Sequence, residues 1–193
     1  ENKDLLGIRG AAAPLFIVQP EWTYCEIGQT AFFPGAVNTI VVTLQANIAI
    51  PEKYFVTFKG LTESQTADQD IQVETSPNLL FLSNQGSWKQ EEGELSLTVN
   101  QAHETWISGV IIRFQLVNPV FSKPSSNVSV EVRDSMKNLL LVSKSLEKSS
   151  VPLNNVSRGS EPLFVIMPGF LTAKAGQSCP FAGMKNVISI TIS

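Results

Sequence analysis

The chain has 193 residues and a formal net charge of −3, and 16% of its residues are charged, which is below the quarter or so that is typical of globular domains. Lysine and arginine are scattered singly along the sequence, so the basic stripe that binds nucleic acid is missing. The apolar runs are far shorter than the roughly 20 residues of a membrane span. We therefore expect no nucleic-acid partner and no membrane insertion.

Alternating apolar residues predict strands along most of the chain, because every second side chain of a strand points to the same face. Gly, Pro and Asn turns separate the alternating runs, and residues 87–99 are typical of a hairpin with its turn at Glu92 and Gly93. One helical turn is expected after Glu104. The predicted strands lie at 40–50, 54–58, 71–73, 95–99, 110–116, 128–132 and 139–142.

Seven or more short strands at this spacing predict an all-β fold, an antiparallel immunoglobulin-like β-sandwich. The Cys–Trp–Cys pattern of antibody domains is missing from the sequence. The likeness to immunoglobulin domains therefore concerns the architecture alone.

Two distant parts of the chain have similar sequences. "PLFIVQP" at 14–20 matches "PLFVIMP" at 162–168, and "IGQTAFFPGAVNTIVVTL" at 27–44 matches "AGQSCPFAGMKNVISITI" at 175–192. Residues 13–44 thus align without a gap with residues 161–192, at one constant offset of 148 residues. Such a match indicates an internal repeat whose unit is a whole domain. The identical residues are Pro14, Leu15, Phe16, Pro20, Gly28, Gln29, Phe33, Gly35, Asn38, Ile40 and Thr43.

The repeat divides the chain into three predicted parts. Residues 1–12 are an N-terminal extension or linker, residues 13–160 are a β-sandwich repeat unit, and residues 161–193 are the opening strands of a second, incomplete repeat. We expect the natural protein to be longer than this chain. The apolar row Ile188, Ile190 and Ile192 needs a partner, so we expect this tail to complete a sheet by strand addition, on its own unit or on a neighbouring subunit.

Four motifs carry a resemblance to a known class of modules: the start "IGQTAFFPGAVNTIVVTL", then "FKGLTESQTAD", "GSWKQEEGELSLTV" and "FQLVNP". The combination resembles tandem immunoglobulin-like modules of very large secreted or cell-surface proteins of algae and other protists, among them mastigoneme-like surface glycoproteins. It covers residues 27 to about 119, and the opening recurs at 175–192 with Ala182 in place of Pro34 and Val187 in place of Thr39. The resemblance implies an extracellular structural module.

The inventory of reactive residues is small. His103 is the single histidine of the sequence, a loop residue by prediction, and no zinc, phosphate-loop or dinucleotide motif occurs. Two acidic groups lie in predicted turns without calcium-loop spacing, which favours solvated turns. We therefore predict no catalytic residue, no cofactor and no metal. The acidic groups are Glu63, Asp68 and Asp70, and Glu91, Glu92 and Glu94.

Four residues are candidates for covalent modification. Cys25 and Cys179 either form one disulfide or remain two free thiols, and the sequence leaves both readings open. Asn127 and Asn155 each begin an Asn-Val-Ser triplet, the acceptor pattern for N-glycosylation in a secreted protein.

Three tryptophans complete the list of candidate residues. Trp22 aligns with Phe170 of the second copy and is predicted to lie in the core. Trp88 and Trp106 are candidates for a carbohydrate contact or for packing, and packing is favoured.

We predict a non-enzymatic structural module of an extracellular or cell-surface filament or repeat glycoprotein. Its expected partners are copies of itself or neighbouring repeat domains, held by inter-domain packing or strand addition. The alternative is a carbohydrate-binding or adhesin module that binds glycans through exposed tryptophan.

Overall fold

The computed structural model describes residues 4–5, 8, 10–78, 80–102 and 104–193, so the prediction for His103 falls outside the described residues. Within them the chain is all-β, as predicted. The strands are β1 (Trp22–Gln29), β2 (Val37–Ala46), β3 (Phe55–Lys59), β4 (Gln69–Ser76), β5 (Phe81–Lys89), β6 (Glu94–Val99), β7 (Val110–Val117), β8 (Ser129–Arg133), β9 (Leu139–Ser145), β10 (Glu147–Lys148), β11 (Ala173–Gln177) and β12 (Ile188–Ile192). The expected helical turn after Glu104 is α1 (Thr105–Ser108).

Ten strands form one nearly closed sheet in the order β10-β1-β2-β7-β4-β5-β6-β3-β8-β9. Two segments change partners along their length and so curl the sheet around the core. The first half of β4 pairs with β5 and its second half with β7. At Leu146 the chain leaves β9, the neighbour of β8, and becomes β10, the neighbour of β1. Lys144 Nζ donates to the Trp22 carbonyl at 3.1 Å, which ties β9 to β1.

The sheet is mixed, whereas the sequence predicted an antiparallel one. β10 runs parallel to β1, and the other pairings are antiparallel. The cause is the crossing at Leu146: the chain keeps the direction of β9 when it reaches the edge of β1.

The predicted apolar rows line the core. Ile40, Val42 and Leu44 of β2 are fully buried, and their polar neighbours in the strand are half-buried. The rows of β6 and β7 are buried in the same alternating pattern, as period-2 patterning requires, whereas in β8 Glu131 is buried together with Val130 and Val132. Among the described residues, no helix combines the length and the apolar character that a membrane crossing would need.

Strands β11 and β12 pair with each other and form a separate two-stranded sheet. The prediction that this tail completes the sheet of its own unit is therefore wrong, because neither strand joins the ten-stranded ladder. The register of this hairpin repeats that of β1 and β2 at the 148-residue offset: Gln29 lies opposite Ile40, and Gln177 lies opposite Ile188.

Candidate functional site

The loop between β1 and β2, residues 30–36, is shaped by one buried side chain. Asn38 Oδ1 accepts hydrogen bonds from the amides of Thr30 and Ala31, both at 3.1 Å. Gly35 has a φ of 65°, the left-handed region that glycine enters without steric cost. The Phe-Pro-Gly-x-x-Asn pattern thus specifies a loop that is closed by its own asparagine.

Asn38 also joins this loop to the end of β7. Its Nδ2 donates to Gln29 Oε1 and to Asn118 Oδ1, both at 2.8 Å. Asn118 Nδ2 in turn donates to the carbonyls of Ala31 and Phe33 at 3.0 Å. We call Gln29, Asn38 and Asn118 the polar network; all three residues are buried, and their amide groups find the partners that buried polar atoms require.

The other two motifs reach the same end of the unit. Ser64 Oγ donates to the Val117 carbonyl at 2.9 Å, and the Val117 amide donates to Thr66 Oγ1 at 2.8 Å. Trp88 Nε1 donates to the Thr66 carbonyl at 2.8 Å. Each of the four motifs therefore contributes at least one residue to this hydrogen-bonded end of the sheet.

Residues 161–167, which we call the connector, pack against this end. Leu163 and Val165 are fully buried. Val165 exchanges two backbone hydrogen bonds with Lys123, at 2.9 and 3.0 Å, and the Ser126 amide donates to the Pro162 carbonyl at 2.9 Å. The connector is thus held as an added extended segment with buried side chains.

The polar network contacts the connector directly. Gln29 Nε2 donates to the Phe164 carbonyl and to the Gly159 carbonyl, both at 2.9 Å. The Ile166 amide donates to the Phe32 carbonyl at 3.1 Å, within the loop that Asn38 holds. The end of the sheet that the motifs build is therefore the receiving surface for the connector.

An ion pair fixes the start of the connector. Arg158 Nε lies 2.8 Å from Glu161 Oε1, and its guanidinium lies over the Phe164 ring, 5.1 Å from the centroid. The hydrogen bond from Arg158 lowers the pKa of Glu161 to about 2. Glu161 therefore remains ionised, and paired, at any physiological pH.

A buried lysine supports the strand-like segment that receives Val165. Lys123 Nζ donates to the Thr62 carbonyl at 3.0 Å and to Ser126 Oγ at 3.1 Å, and it lies 3.1 Å from Glu63 Oε2. A buried ammonium group is tolerated when it is paired and hydrogen-bonded in this way. Glu63, one of the acids predicted to lie in a solvated turn, has its carboxylate in this ion pair.

The packing boundary of the unit differs from the repeat boundary. The repeat places the end of the first unit at residue 160, yet Leu163 and Val165 are buried with the first unit. Sequence similarity marks where the pattern restarts, and it carries no information on which core a connecting segment joins.

The tryptophans are core residues. Trp88 and Trp106 are fully buried, and Trp22 is buried as predicted. Trp106 packs edge-on against Phe81, with ring centroids 6.1 Å apart. Both rings therefore pack in the core, and in this structure neither offers a face to a sugar.

The two cysteines are free thiols in this structure. Cys25 lies in β1 with its side chain in the core, and burial raises its pKa to about 11, so its thiol is protonated and unreactive at neutral pH. Cys179 lies in the separate β11–β12 hairpin. A bond between Cys25 and Cys179 within the chain, one of the two readings of the sequence, is not formed.

Both candidate glycosylation sites are accessible. Asn127 is exposed just before β8, and Asn155 is exposed in a turn with a φ of 64°. A glycan on either side chain would project into solvent.

One concave surface, of about 540 Å³, lies between β4 and β7, and its titratable lining residues are Asp70, Glu74 and Arg113. In the part of the chain that the structure describes, no three or more His, Cys, Asp and Glu residues gather where they could ligate a metal ion.

Comparison with known proteins gives no family. No protein-family model matches the chain, and a search of curated proteins returns no match.

We expect the substitution Asn38→Ala to lower the free energy of unfolding of the ten-stranded unit by about 2–4 kcal/mol, because it leaves several buried hydrogen-bonding groups without partners. Urea unfolding followed by tryptophan fluorescence measures this, since all three tryptophans lie in the ten-stranded unit.

The matched control is Asn186→Ala. Asn186 makes the equivalent bonds to Ser178, Cys179 and Gln177, at 3.0 to 3.1 Å, but in an exposed hairpin. Water replaces those bonds, so the expected change in the same measurement is below about 0.5 kcal/mol. Equal effects of the two substitutions would show that the buried network does not hold the end of the unit.

Proposed function

We propose that the chain is a non-enzymatic structural module of an extracellular or cell-surface repeat protein, with each unit joined to the next by a buried connector. The observation that carries the proposal is the burial of Leu163 and Val165. By sequence these residues open the second repeat, and by packing they belong to the first unit. The start of the second repeat is thereby anchored in the core of the first unit, which makes the connector a joint between the two.

The contacts of the connector support a joint of fixed geometry. A flexible linker is exposed and makes few contacts with the domains it joins. The connector instead buries two aliphatic side chains, each worth about 1.5–3 kcal/mol, and adds backbone hydrogen bonds to Lys123, Ser126 and Phe32. A chain of such units would behave as a spaced, semi-rigid fibre.

The exposed hairpin supports strand addition as a further contact between units. Ile188, Ile190 and Ile192 are 61%, 70% and 54% exposed, whereas the aligned residues Ile40, Val42 and Leu44 are each 0% exposed. In the first unit the outer edge of β2 is paired with β7, and the corresponding edge of β12 is open. A strand from a neighbouring unit, added there, would pair the open edge and extend the apolar face, and a head-to-tail contact of this kind propagates.

In this proposal the nearly closed sheet is a tandem-repeat sandwich of the immunoglobulin-like kind, in which β4 and the β9–β10 segment pass from one layer to the other. A crystal structure tests this, since the two layers of a sandwich lie about 10 Å apart. The carbohydrate-binding alternative has lost the residues that favoured it, because Trp88 and Trp106 are buried.

A tandem chain tests the joint. In it residues 1–168 are followed directly by residues 21–193, because residue 169 aligns with residue 21. The native connector then links two complete units. With spin labels on a cysteine placed at the exposed Asp70 of each unit, and Cys179 replaced by serine, we expect one narrow inter-label distance distribution in a double electron–electron resonance measurement.

The control for the tandem chain carries Leu163→Asp in the connector. This change places a charge at a fully buried position, so the connector should leave its site and the distance distribution should broaden. A broad distribution already in the unaltered tandem chain would overturn the proposed joint.

Secretion can be tested through the two accessible asparagines. When the chain is exported by a eukaryotic cell, we expect an endoglycosidase-sensitive mass increase that Asn127→Gln and Asn155→Gln each reduce. Export without any glycan on either asparagine would contradict the glycoprotein part of the proposal.

A further inference from the structure

We propose that residues 13–19, the leading segment, form a docking peptide for the connector site of a second copy of this chain whose own connector has left that site. The inference deepens the proposed function and rests on it, since it names the partner and the residues of one contact between units. The ligand is a short apolar peptide that opens with Pro-Leu-Phe, and the receiving surface is the one that holds the connector.

The leading segment already has the backbone shape of the docked connector. Leu15 has a φ of 61° and Leu163 a φ of 52°, a left-handed conformation that leucine seldom adopts. The Phe16 amide donates to the Ala13 carbonyl at 3.2 Å, and the Phe164 amide donates to the Glu161 carbonyl at the same distance. A peptide that is already in its bound shape loses less entropy on binding.

The two copies of this turn differ in what covers them. Leu163 and Val165 are 0% and 1% exposed, whereas the aligned Leu15 and Ile17 are 95% and 88% exposed. Three consecutive apolar side chains, from Leu15 to Ile17, thus face solvent in a fixed conformation. Exposed apolar clusters of this kind mark interaction surfaces, and the connector shows which surface accepts this sequence.

The receiving surface recognises mainly the backbone of its ligand. The Ser126 amide, both backbone groups of Lys123, the Phe32 carbonyl and Gln29 Nε2 bind backbone atoms of the connector. The corresponding atoms of the leading segment, at Pro14, Phe16, Ile17 and Val18, can make the same bonds. This is the strand-addition mode, in which main-chain bonds give affinity and pockets for alternate side chains give specificity.

The side chains that differ are compatible with the site. Ile17 replaces the buried Val165 by one added methylene group, and Gln19 replaces Met167, which is exposed. Ala13 replaces Glu161 and cannot form the ion pair with Arg158, because alanine has no carboxylate. We therefore expect the leading segment to bind, and to bind more weakly than the chain's own connector.

The first arm of the experiment exchanges the sequences within the full chain. Val165→Ile, Ile166→Val and Met167→Gln together give the connector the sequence of the leading segment from Pro162 to Pro168. We expect the unfolding equilibrium constant, from urea titration, to change by no more than about tenfold, as for other volume-similar core changes. Leu163→Asp should change it by at least about a hundredfold. The proposal would be overturned if the three exchanges together changed the unfolding equilibrium constant as much as Leu163→Asp does.

The second arm measures docking between molecules. A labelled peptide of residues 12–20 is titrated, by fluorescence anisotropy, against the full chain carrying Leu163→Asp and Val165→Asp, whose site is vacated. We expect saturable binding, at least tenfold weaker binding to the unaltered chain, and loss of binding when the peptide carries Leu15→Asp.

Equal binding of the two peptides, or no binding to a vacated chain that circular dichroism shows to be folded, would overturn the proposal. If the vacated chain does not fold, the exchange arm decides the question. If the peptide does not dock but the tandem chain still gives one narrow inter-label distance distribution, the docking role is wrong and the proposed module function is unaffected. A flexible tandem chain would overturn the proposed function itself.

Discussion

The side-chain amide of Asn38 is the interaction on which the rest of this structure depends. It closes the β1–β2 loop, binds Asn118 at the end of β7 and orients Gln29, which in turn binds the connector at Phe164. The bonds of Asn38 to Gln29 and Asn118 are buried and the other two are partly buried, so the loss of one partner leaves others unsatisfied. The loop, the strand end and the connector are thereby coupled through one residue.

The core could be predicted from the sequence, and the neighbours of each strand could not. Alternation along β2 specifies which side chains face inward, and Ile40, Val42 and Leu44 are buried accordingly. Alternation does not specify pairing partners, so the exchange of partners within β4 and the parallel pair of β1 and β10 are visible only in the structure. Gly86 lies inside β5, where a Cβ would come within 2.3 Å of the Leu97 side chain.

The residues of the candidate site could be recognised in the sequence as motifs, but the contacts between those motifs could not. The Asn38 and Asn118 motifs lie far apart in the chain, and only the fold shows that their amides bind each other at 2.8 Å. The repeat was visible as an alignment, and its hydrogen bonds recur at Asn186 and Gln177. The same residues can therefore be buried in one copy and exposed in the other, because burial depends on what packs against them.

Amide hydrogen exchange on the full chain tests most directly the claim that the connector belongs to the first unit while its aligned counterpart does not. The amides of Val165 and Ile166 donate to Lys123 and Phe32, so they should exchange as slowly as amides of the central strand β7. The amides of Ile17 and Val18, at the aligned positions, should exchange orders of magnitude faster. Equal rates at the two sets of amides would contradict the account.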